Sequence, residues 1–367
     1  MKTPGLVVTG GGTGGHIFAG VAIADEWKKK YPGSRIVFVG AAGGIEERLV
    51  PKAGYPLELV HLGSLKGVSF AKRAKTLVQI PLALLSAAKI LMREKPDAVV
   101  GVGGYASGPV VLVARILGLF GLAGHARTAI LEQNAVPGFT NRILARFSHA
   151  VFCAFPGIED RFQKAKTAIT GNPVRNTMVP YASAKRDPFT VFIFGGSQGA
   201  VGINSLILDS FEYLRDLLPK LRFIHQTGER DYERVSAGYR KAGIEARVEK
   251  FIYDMPDCYR EASLVVCRAG SSTLAELAAV HRAAILVPFP FASDNHQEKN
   301  ARLFVDRGAA ELMIQGKSSG KELAAKIRDY FSDPAKVSAL ETGIAKFHSE
   351  NATGKIVSLL HPETASS

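Results

Sequence analysis

Val7-Val8-Thr9-Gly10-Gly11-Gly12-Thr13-Gly14-Gly15-His16 near the start of the chain and Val191-Phe192-Ile193-Phe194-Gly195-Gly196-Ser197-Gln198-Gly199-Ala200 half a chain later share one pattern. Each reads as a buried strand, then a tight glycine turn, then a helix N-terminus. Such a turn lets backbone N–H groups approach an anion, and the helix dipole favours negative charge there. One such turn predicts a phosphate site. Two in matching positions predict two Rossmann-like, doubly wound α/β halves facing a shared cleft. That architecture suits a nucleotide-activated donor and a separate acceptor.

The 367 residues are too many for one ordinary core, so two domains are expected. Strand patterns at 5–9, 35–39, 57–62, 98–102, 129–131 and 149–153 alternate with helical ones such as 20–30 and 44–53. A second alternation places strands at 190–194, 222–226, 246–249, 264–267 and 284–287. Gly171-Asn172-Pro173-Val174-Arg175 is punctuated as a linker. The expected domains are 1–168 and 171–345, with a last helix at about 346–361 packing back on the first. Ligands are then expected at the carboxyl ends of the strands.

Apolar content of 47% and charged content of 22% describe a globular chain. Cys153, Cys258 and Cys267 form no CxxC pair, which argues against a disulfide or zinc scaffold and fits a reducing cytosol. The apolar run at the N-terminus is short and reads as a first strand, not a signal peptide. Residues 77–88 are too few to span a membrane, and 98–114 are interrupted by glycines and Pro109. The net charge of +13 is unevenly spread: residues 1–168 carry 21 Lys/Arg against 10 Asp/Glu, and the remainder 25 against 23. An anionic partner is implied for the first half.

Gly10-x-Gly12-x-x-Gly15 formally matches a dinucleotide fingerprint, but the second strand ends Val39-Gly40-Ala41-Ala42-Gly43. It lacks the acid that would hold a ribose, which argues against a dehydrogenase. His16 stands at the helix start beyond the loop, either as an exposed or cap-bonding histidine or as a site group. Gly103-Gly104-Tyr105-Ala106-Ser107 follows another strand in the same half. Gly104, Tyr105 and Ser107 there are candidate contacts for a phosphorylated acceptor, the alternative being a plain structural turn. Glu132-Gln133-Asn134 ends a further strand and suits hydroxyl or amide recognition, or turn chemistry.

In the second half, Cys267-Arg268-Ala269-Gly270-Ser271-Ser272-Thr273-Leu274-Ala275-Glu276 joins a strand to a helix through a hydroxyl-rich turn. The turn can donate to a diphosphate and Glu276 can accept from ribose hydroxyls; a simple N-cap is the plainer account. Residues 251–255, ending in Met255, can hold a base by backbone contacts, and Gln297 falls near another helix start. Three polar turns at one sheet edge exceed what capping explains. No Asp-x-Asp, HExxH or Cys/His cluster is present, so no metal or other cofactor is expected. Helix N-termini and arginine would carry the leaving-group charge instead.

Lys66, Lys72, Arg73, Lys75, Lys89, Arg93 and Lys95 are opposed only by Glu94 within 66–95. Leu77, Ile80, Leu84, Ala88 and Leu91 lie between them at helical spacing. A core helix with a basic face is one reading. Coincidence with the basic half favours contact with an anionic membrane surface. Nucleic acid fits less well, because aromatic residues are not interleaved with the basic ones.

Taken together, GGTGGH, GGYxSGP, EQN, GNPVR, GGSQGA, CRxGxxTxxE and DNHQxxNA, in this order from Gly10 to about Ala301, resemble the MurG family. These are the bacterial peptidoglycan N-acetylglucosaminyltransferases, of family 28 and GT-B fold. The resemblance implies inverting transfer of GlcNAc from UDP-GlcNAc to the MurNAc 4-hydroxyl of undecaprenyl-diphosphate-MurNAc-pentapeptide (lipid I), giving lipid II. It implies a peripheral protein on the cytoplasmic face of the inner membrane, with cell-wall synthesis proteins among its partners. By matching position, Thr13, Gly14, Gly15, Asn134, Arg175, Ser197, Ile252 and Gln297 would contact the donor. Thr273 would meet the diphosphate and Glu276 the ribose, with Arg268 in the same motif. His16 would be the base or an acceptor contact, and Tyr105 a second acceptor contact. Two positions depart from the family: Leu131 stands where a histidine often precedes EQN, and His296 replaces a glutamine.

The expected chemistry is direct displacement at the donor anomeric carbon, with His16 as base and Glu132 as the fallback. Closure about 171–175 would join the two sites. Another UDP-sugar enzyme of the fold, such as a UDP-GlcNAc 2-epimerase or a glycolipid synthase, is the nearest alternative. A non-enzymatic, membrane-associated nucleotide-sugar sensor is the alternative from a different class.

Overall fold

A computed structural model describes residues 3–61, 70–163, 165–181 and 187–362, and of residues 70–79 the backbone alone. The chain up to Arg175, with the segment from Ser349 onward, forms one compact unit, and Asn176–His348 form the second.

Unit 1 alternates β1 (Leu6–Gly10), α1 (Gly14–Lys30), β2 (Ile36–Ala41), α2 (Glu46–Lys52), β3 (Leu57–Val60), α3 (Phe70–Glu94), β4 (Ala98–Gly103), α4 (Ser107–Leu119), β5 (Arg127–Glu132), α5 (Phe139–Leu144), β6 (Ala150–Cys153) and β7 (Thr167–Ile169). Its parallel sheet runs β3-β2-β1-β4-β5-β6-β7. Both faces are covered, which is why these strands read as unbroken apolar runs. Leu6, Val8, Phe38, Val100 and Phe152 from the sheet meet Ile23 and Trp27 of α1 in the core.

Unit 2 repeats the plan with β8 (Phe189–Phe194), α6 (Val201–Ser210), β9 (Leu221–Gln226), α7 (Tyr232–Lys241), β10 (Ala246–Glu249), α8 (Met255–Glu261), β11 (Leu264–Cys267), α9 (Ser271–Val280), β12 (Ala284–Leu286), α10 (His296–Val305), β13 (Glu311–Leu312), α11 (Gly320–Ser332) and α12 (Pro334–Ala345). The order of its sheet is β10-β9-β8-β11-β12-β13. In both sheets the strand order reverses beside the first strand, between β1 and β4 and between β8 and β11. Parallel sheets bind ligands beyond the strand ends at such switch points. The glycine turns after β1, β4, β8 and β11 all fall there.

Some elements differ from expectation. α1 begins at Gly14, ahead of the expected 20, because Thr13 caps it: the Thr13 hydroxyl accepts from the His16 N–H at 3.3 Å. β7 and β13 have three and two residues, too short to show alternation. The tail is not one helix from 346. A turn intervenes, and α13 (Ala352–Leu360) starts at Asn351, whose φ is 55° and whose side chain accepts from Gly354 N–H. α13 packs against α1, where the Tyr31 hydroxyl lies 3.2 Å from His361 Nδ1.

The basic segment also divides differently. Lys66 lies outside the described residues, as do the side chains of Lys72, Arg73, Lys75 and Leu77. In α3, Leu91 is buried and Ile80, Leu84 and Ala88 are half-buried. A second stripe, Leu82, Leu85 and Met92, faces outward. No helix among the described residues is long and apolar enough to cross a membrane.

Candidate active site

In unit 1 the turns after β1, β4 and β5 lie side by side, because those strands are neighbours. The first turn of α1 contains no acid. Among the described residues, nothing accepts from the Gly14 and Gly15 N–H groups. They are the unsatisfied donors that a helix start presents to an anion.

His16 sits directly over this turn. Its Nδ1 is 3.0 Å from the Gly11 carbonyl oxygen. A carbonyl can only accept, so Nδ1 carries the proton and the lone pair of the neutral ring is on Nε2. The ring lies against Gly103, where a Cβ would stand 2.7 Å from Nε2. Gly104 has φ +87°, and a Cβ there would fall on the Gly11 carbonyl. The two loops therefore touch only because both positions are glycine. Tyr105, beyond them, is 45% exposed. Arg175 reaches the same helix start, its guanidinium 4.7 Å over the Phe18 ring.

Two expected contacts in this unit turn inward. Ser107 is buried, and its hydroxyl lies 2.9 Å from the carbonyls of both Thr9 and Gly103 while accepting from Gly103 N–H. It joins β1 to the Gly103 turn and is not presented to an acceptor. Glu132 is also buried, and it accepts from the N–H groups of Asn134 and Gly138 and the amides of Asn134 and Asn141 at 2.8–3.3 Å. Its lone pairs hold the 134–141 turn, so it is no fallback base. Asn134 is half-buried at the strand end, oriented by that carboxylate.

Glu46 was missed by motif reading. It is buried, and its oxygens accept from Ala41 N–H at 3.0 Å and Gly12 N–H at 2.9 Å. Gly11, Gly40 and Gly44 surround it so closely that a Cβ on any of them would collide with its side chain. The signal was a run of glycines in two separate turns, which needed a third group to fill the space.

In unit 2, α6 and α9 follow the adjacent strands β8 and β11. Their N-caps, Ala200 and Gly270, make no side-chain cap bond, and neither first turn contains an acid. Helix N-termini on neighbouring strands are the geometry that favours an anion. Ser197 and Thr273 are half-buried beside it. Glu276 accepts from the Tyr259 hydroxyl at 3.1 Å, one turn further along α9.

Gln226, also missed, links two turns: its amide donates to Gly196 O at 2.8 Å and accepts from Ile252 N–H at 2.7 Å. The Ile252 N–H is thereby taken. Met255 opens α8 half-buried, and the preceding Asp254 is gripped by Arg247 at 2.7 and 2.9 Å. Gln297 accepts from Phe289 N–H at 2.9 Å, which orients its amide nitrogen as a donor. His296 turns back to Ser293 O at 2.8 Å. Within β9, burial pushes His225 down to about 3. This neutral ring lies 3.0 Å from Asn204 Oδ1 and 3.1 Å from the Tyr239 hydroxyl.

Arg268 departs from the expected direct donor contact. It is buried and gives its donors to the carbonyls of Val287 and Pro288 and to Gln315. Among the described residues no group of three or more His, Cys, Asp or Glu could hold a metal ion.

The glycosyltransferase family 28 N-terminal domain matches residues 6–153, and the family 28 C-terminal domain matches 190–354. A Myxococcus xanthus protein named UDP-N-acetylglucosamine–N-acetylmuramyl-(pentapeptide) pyrophosphoryl-undecaprenol N-acetylglucosamine transferase is 46% identical, over 92% of this chain and 87% of its own. The crystal structure of Acinetobacter baumannii MurG superposes with a TM-score of 0.75 at 30% identity, covering 97% of this chain and 99% of that one. A putative UDP-N-acetylglucosamine 2-epimerase from Listeria monocytogenes has a TM-score of 0.66 at 11% identity, covering 98% and 96%, and shares the fold alone.

Proposed function

Because this chain belongs to glycosyltransferase family 28, we propose that it moves N-acetylglucosamine from UDP-GlcNAc to the MurNAc 4-hydroxyl of undecaprenyl-diphosphate-MurNAc-pentapeptide. The product is lipid II, for peptidoglycan synthesis. The observation that carries this is 46% identity to a transferase of that name over 92% of the chain. The epimerase likeness stops at the fold.

The geometry supports a division of labour. The uncapped starts of α6 and α9 take the donor diphosphate, Glu276 accepts from the ribose, and Gln297 donates to the sugar. The Gly104–Tyr105 turn serves the acceptor. His16 Nε2 takes the proton from the acceptor hydroxyl. The new bond forms between that oxygen and the anomeric carbon, with inversion. The bond from that carbon to the β-phosphate oxygen breaks, and the electron pair leaves on UDP, met by the two helix termini.

Incubation with radiolabelled UDP-GlcNAc and a lipid I analogue tests this. Label is expected in the lipid fraction, undiminished by EDTA, since helix termini and not a metal stabilise UDP. Label released as free ManNAc would instead indicate an epimerase, and loss of transfer in EDTA would overturn the metal-free assignment.

Attachment to the cytoplasmic face of the membrane is supported by unit 1. Leu82 and Leu85 on α3, Ile116 and Leu119 on α4, then Phe120 and Leu122 are all exposed, and α3 packs on α4. Clustered exposed apolar side chains mark an interaction surface. Lys89, Arg93 and Arg115 stand on the same helices, as anionic lipid would favour. Leu85→Asp combined with Phe120→Asp should lower partition onto phosphatidylglycerol vesicles about a hundredfold or more, as two anchors worth about 1.5–3 kcal/mol each are lost. UDP affinity should not change. Unaltered partition would move the membrane contact elsewhere.

A further inference from the structure

The starts of the unit 1 strands, at the sheet edge opposite the glycine turns, carry a second cluster of charge. β4, β5 and β6 are parallel neighbours, so their starts lie side by side. Asp97 precedes β4, Arg127 opens β5 and His149 precedes β6. With His125, and with Leu360, His361 and Pro362 at the end of α13, they line a shallow cavity of about 350 Å³. That volume suits a small ligand.

The cations here are not neutralised. Arg127 Nε is buried without a hydrogen-bond partner. Among the described residues its guanidinium enters no ion pair. A donor kept from both water and protein acceptors is one that a ligand can satisfy. His149 Nδ1 accepts from Thr128 N–H at 3.0 Å. A backbone N–H can only donate, so the ring proton is on Nε2, which is a donor. Burial holds the pKa of this ring down, and the positive field of Arg115, Arg127 and Lys166 lowers it further. His361 is fixed against Trp27 and Tyr31, with ring centroids 5.9 and 5.3 Å away, and its Nδ1 lies 3.2 Å from the Tyr31 hydroxyl. The one acid lining the cavity is Asp97, whose Oδ2 accepts from Gly5 N–H at 2.7 Å. Its Oδ1 can accept from a hydroxyl.

Guanidinium and imidazole N–H groups beside one carboxylate suit an anion that also carries a hydroxyl. A metal fits poorly: among the described residues no group of three or more His, Cys, Asp or Glu could hold one, and Arg127 would repel it. We propose that this cavity is a second ligand site, for hydrogen phosphate or a small phosphate monoester. Arg127 and the Nε2 groups of His149 and His361 bind the charged oxygens, and Asp97 accepts from the hydroxyl. The ligand ties the strand starts to the end of α13. The site does not depend on the transfer reaction.

The test is titration of the full chain with inorganic phosphate, sulfate and glycerol 3-phosphate, read at the ring resonances of His149 and His361. Phosphate should shift both. Sulfate is similar in shape but has no hydroxyl at neutral pH, and should bind about tenfold more weakly. Asp97→Asn keeps an acceptor for Gly5 N–H, replaces the other acceptor with a donor, and should abolish that preference. Arg127→Met should raise the Kd for phosphate about tenfold or more. Should Arg127→Met fail to fold, His125→Glu decides: the position is exposed, and a carboxylate there should weaken phosphate about tenfold. Tighter binding of glycerol 3-phosphate than of phosphate would make the ligand a monoester, and the reverse would make it the free ion. Phosphate that leaves both rings unmoved, or that binds these two variants as it binds the wild type, would overturn the proposal.

Discussion

His16→Ala lowers turnover by about 10²–10⁴-fold, the range for loss of a positioned general base, while UDP binds as before. Both halves of this expectation come from how the ring is held. The bond from Nδ1 to the Gly11 carbonyl sets the tautomer, so Nε2 is the basic nitrogen. Gly103 supports the ring where any larger residue would displace it. Glu132 cannot substitute, since it is committed to the 134–141 turn. The turns proposed to hold UDP belong to unit 2. The measurement is single-turnover transfer to a lipid I analogue at saturating UDP-GlcNAc, with UDP affinity measured in parallel. Near-full turnover by the alanine variant would dismiss His16 as the base. His16→Asn, which can still reach Gly11 but cannot accept a proton efficiently, should be as slow as alanine.

Glu46→Gln is the second large effect, although this residue touches no substrate. Both carboxylate oxygens receive backbone N–H groups, one from each of two turns. An amide supplies one acceptor and sets its own NH₂ against the other N–H. Leaving one buried donor unsatisfied costs about 1–3 kcal/mol. The loss falls on the turn that presents Gly14, Gly15 and His16. The expected result is a KM for the lipid I analogue raised roughly 10–100-fold, as that energy implies, with UDP affinity untouched. Glu46→Ala removes both acceptors, empties the space framed by Gly11, Gly40 and Gly44, and should be worse. A lipid I KM within twofold of wild type in Glu46→Gln would show that the turn holds its shape without this carboxylate.

Much of this molecule can be read from its chain, for identifiable reasons. Parallel strands covered on both faces are continuous apolar runs, and glycines with φ above zero announce the turns after β1, β4 and β8. What cannot be read is which way a polar side chain turns after a strand ends. Ser107, Glu132 and Arg268 look like ligand contacts because they stand at the site edge, yet each turns inward to partners that no local pattern reveals. Ser107 meets Thr9 98 positions away, and Arg268 meets Gln315 47 positions away. Glu46 and Gln226 were overlooked for the same reason in reverse: they belong to no motif, but they brace residues that do. The outward apolar stripe of α3 shares one helix with an inward one, so periodicity locates the helix without saying which stripe meets solvent.

The packing around Tyr105 limits how the acceptor range can be redesigned. Gly103 is pinned by His16, Gly104 by the Gly11 carbonyl and Ser107 by Thr9. Saturation mutagenesis across 103–107 should therefore yield folded, altered-specificity clones almost entirely at Tyr105, whose 45% exposure leaves space for other shapes. A laboratory seeking an enzyme for a shortened or unnatural lipid carrier would do best to diversify that one codon and leave its neighbours alone.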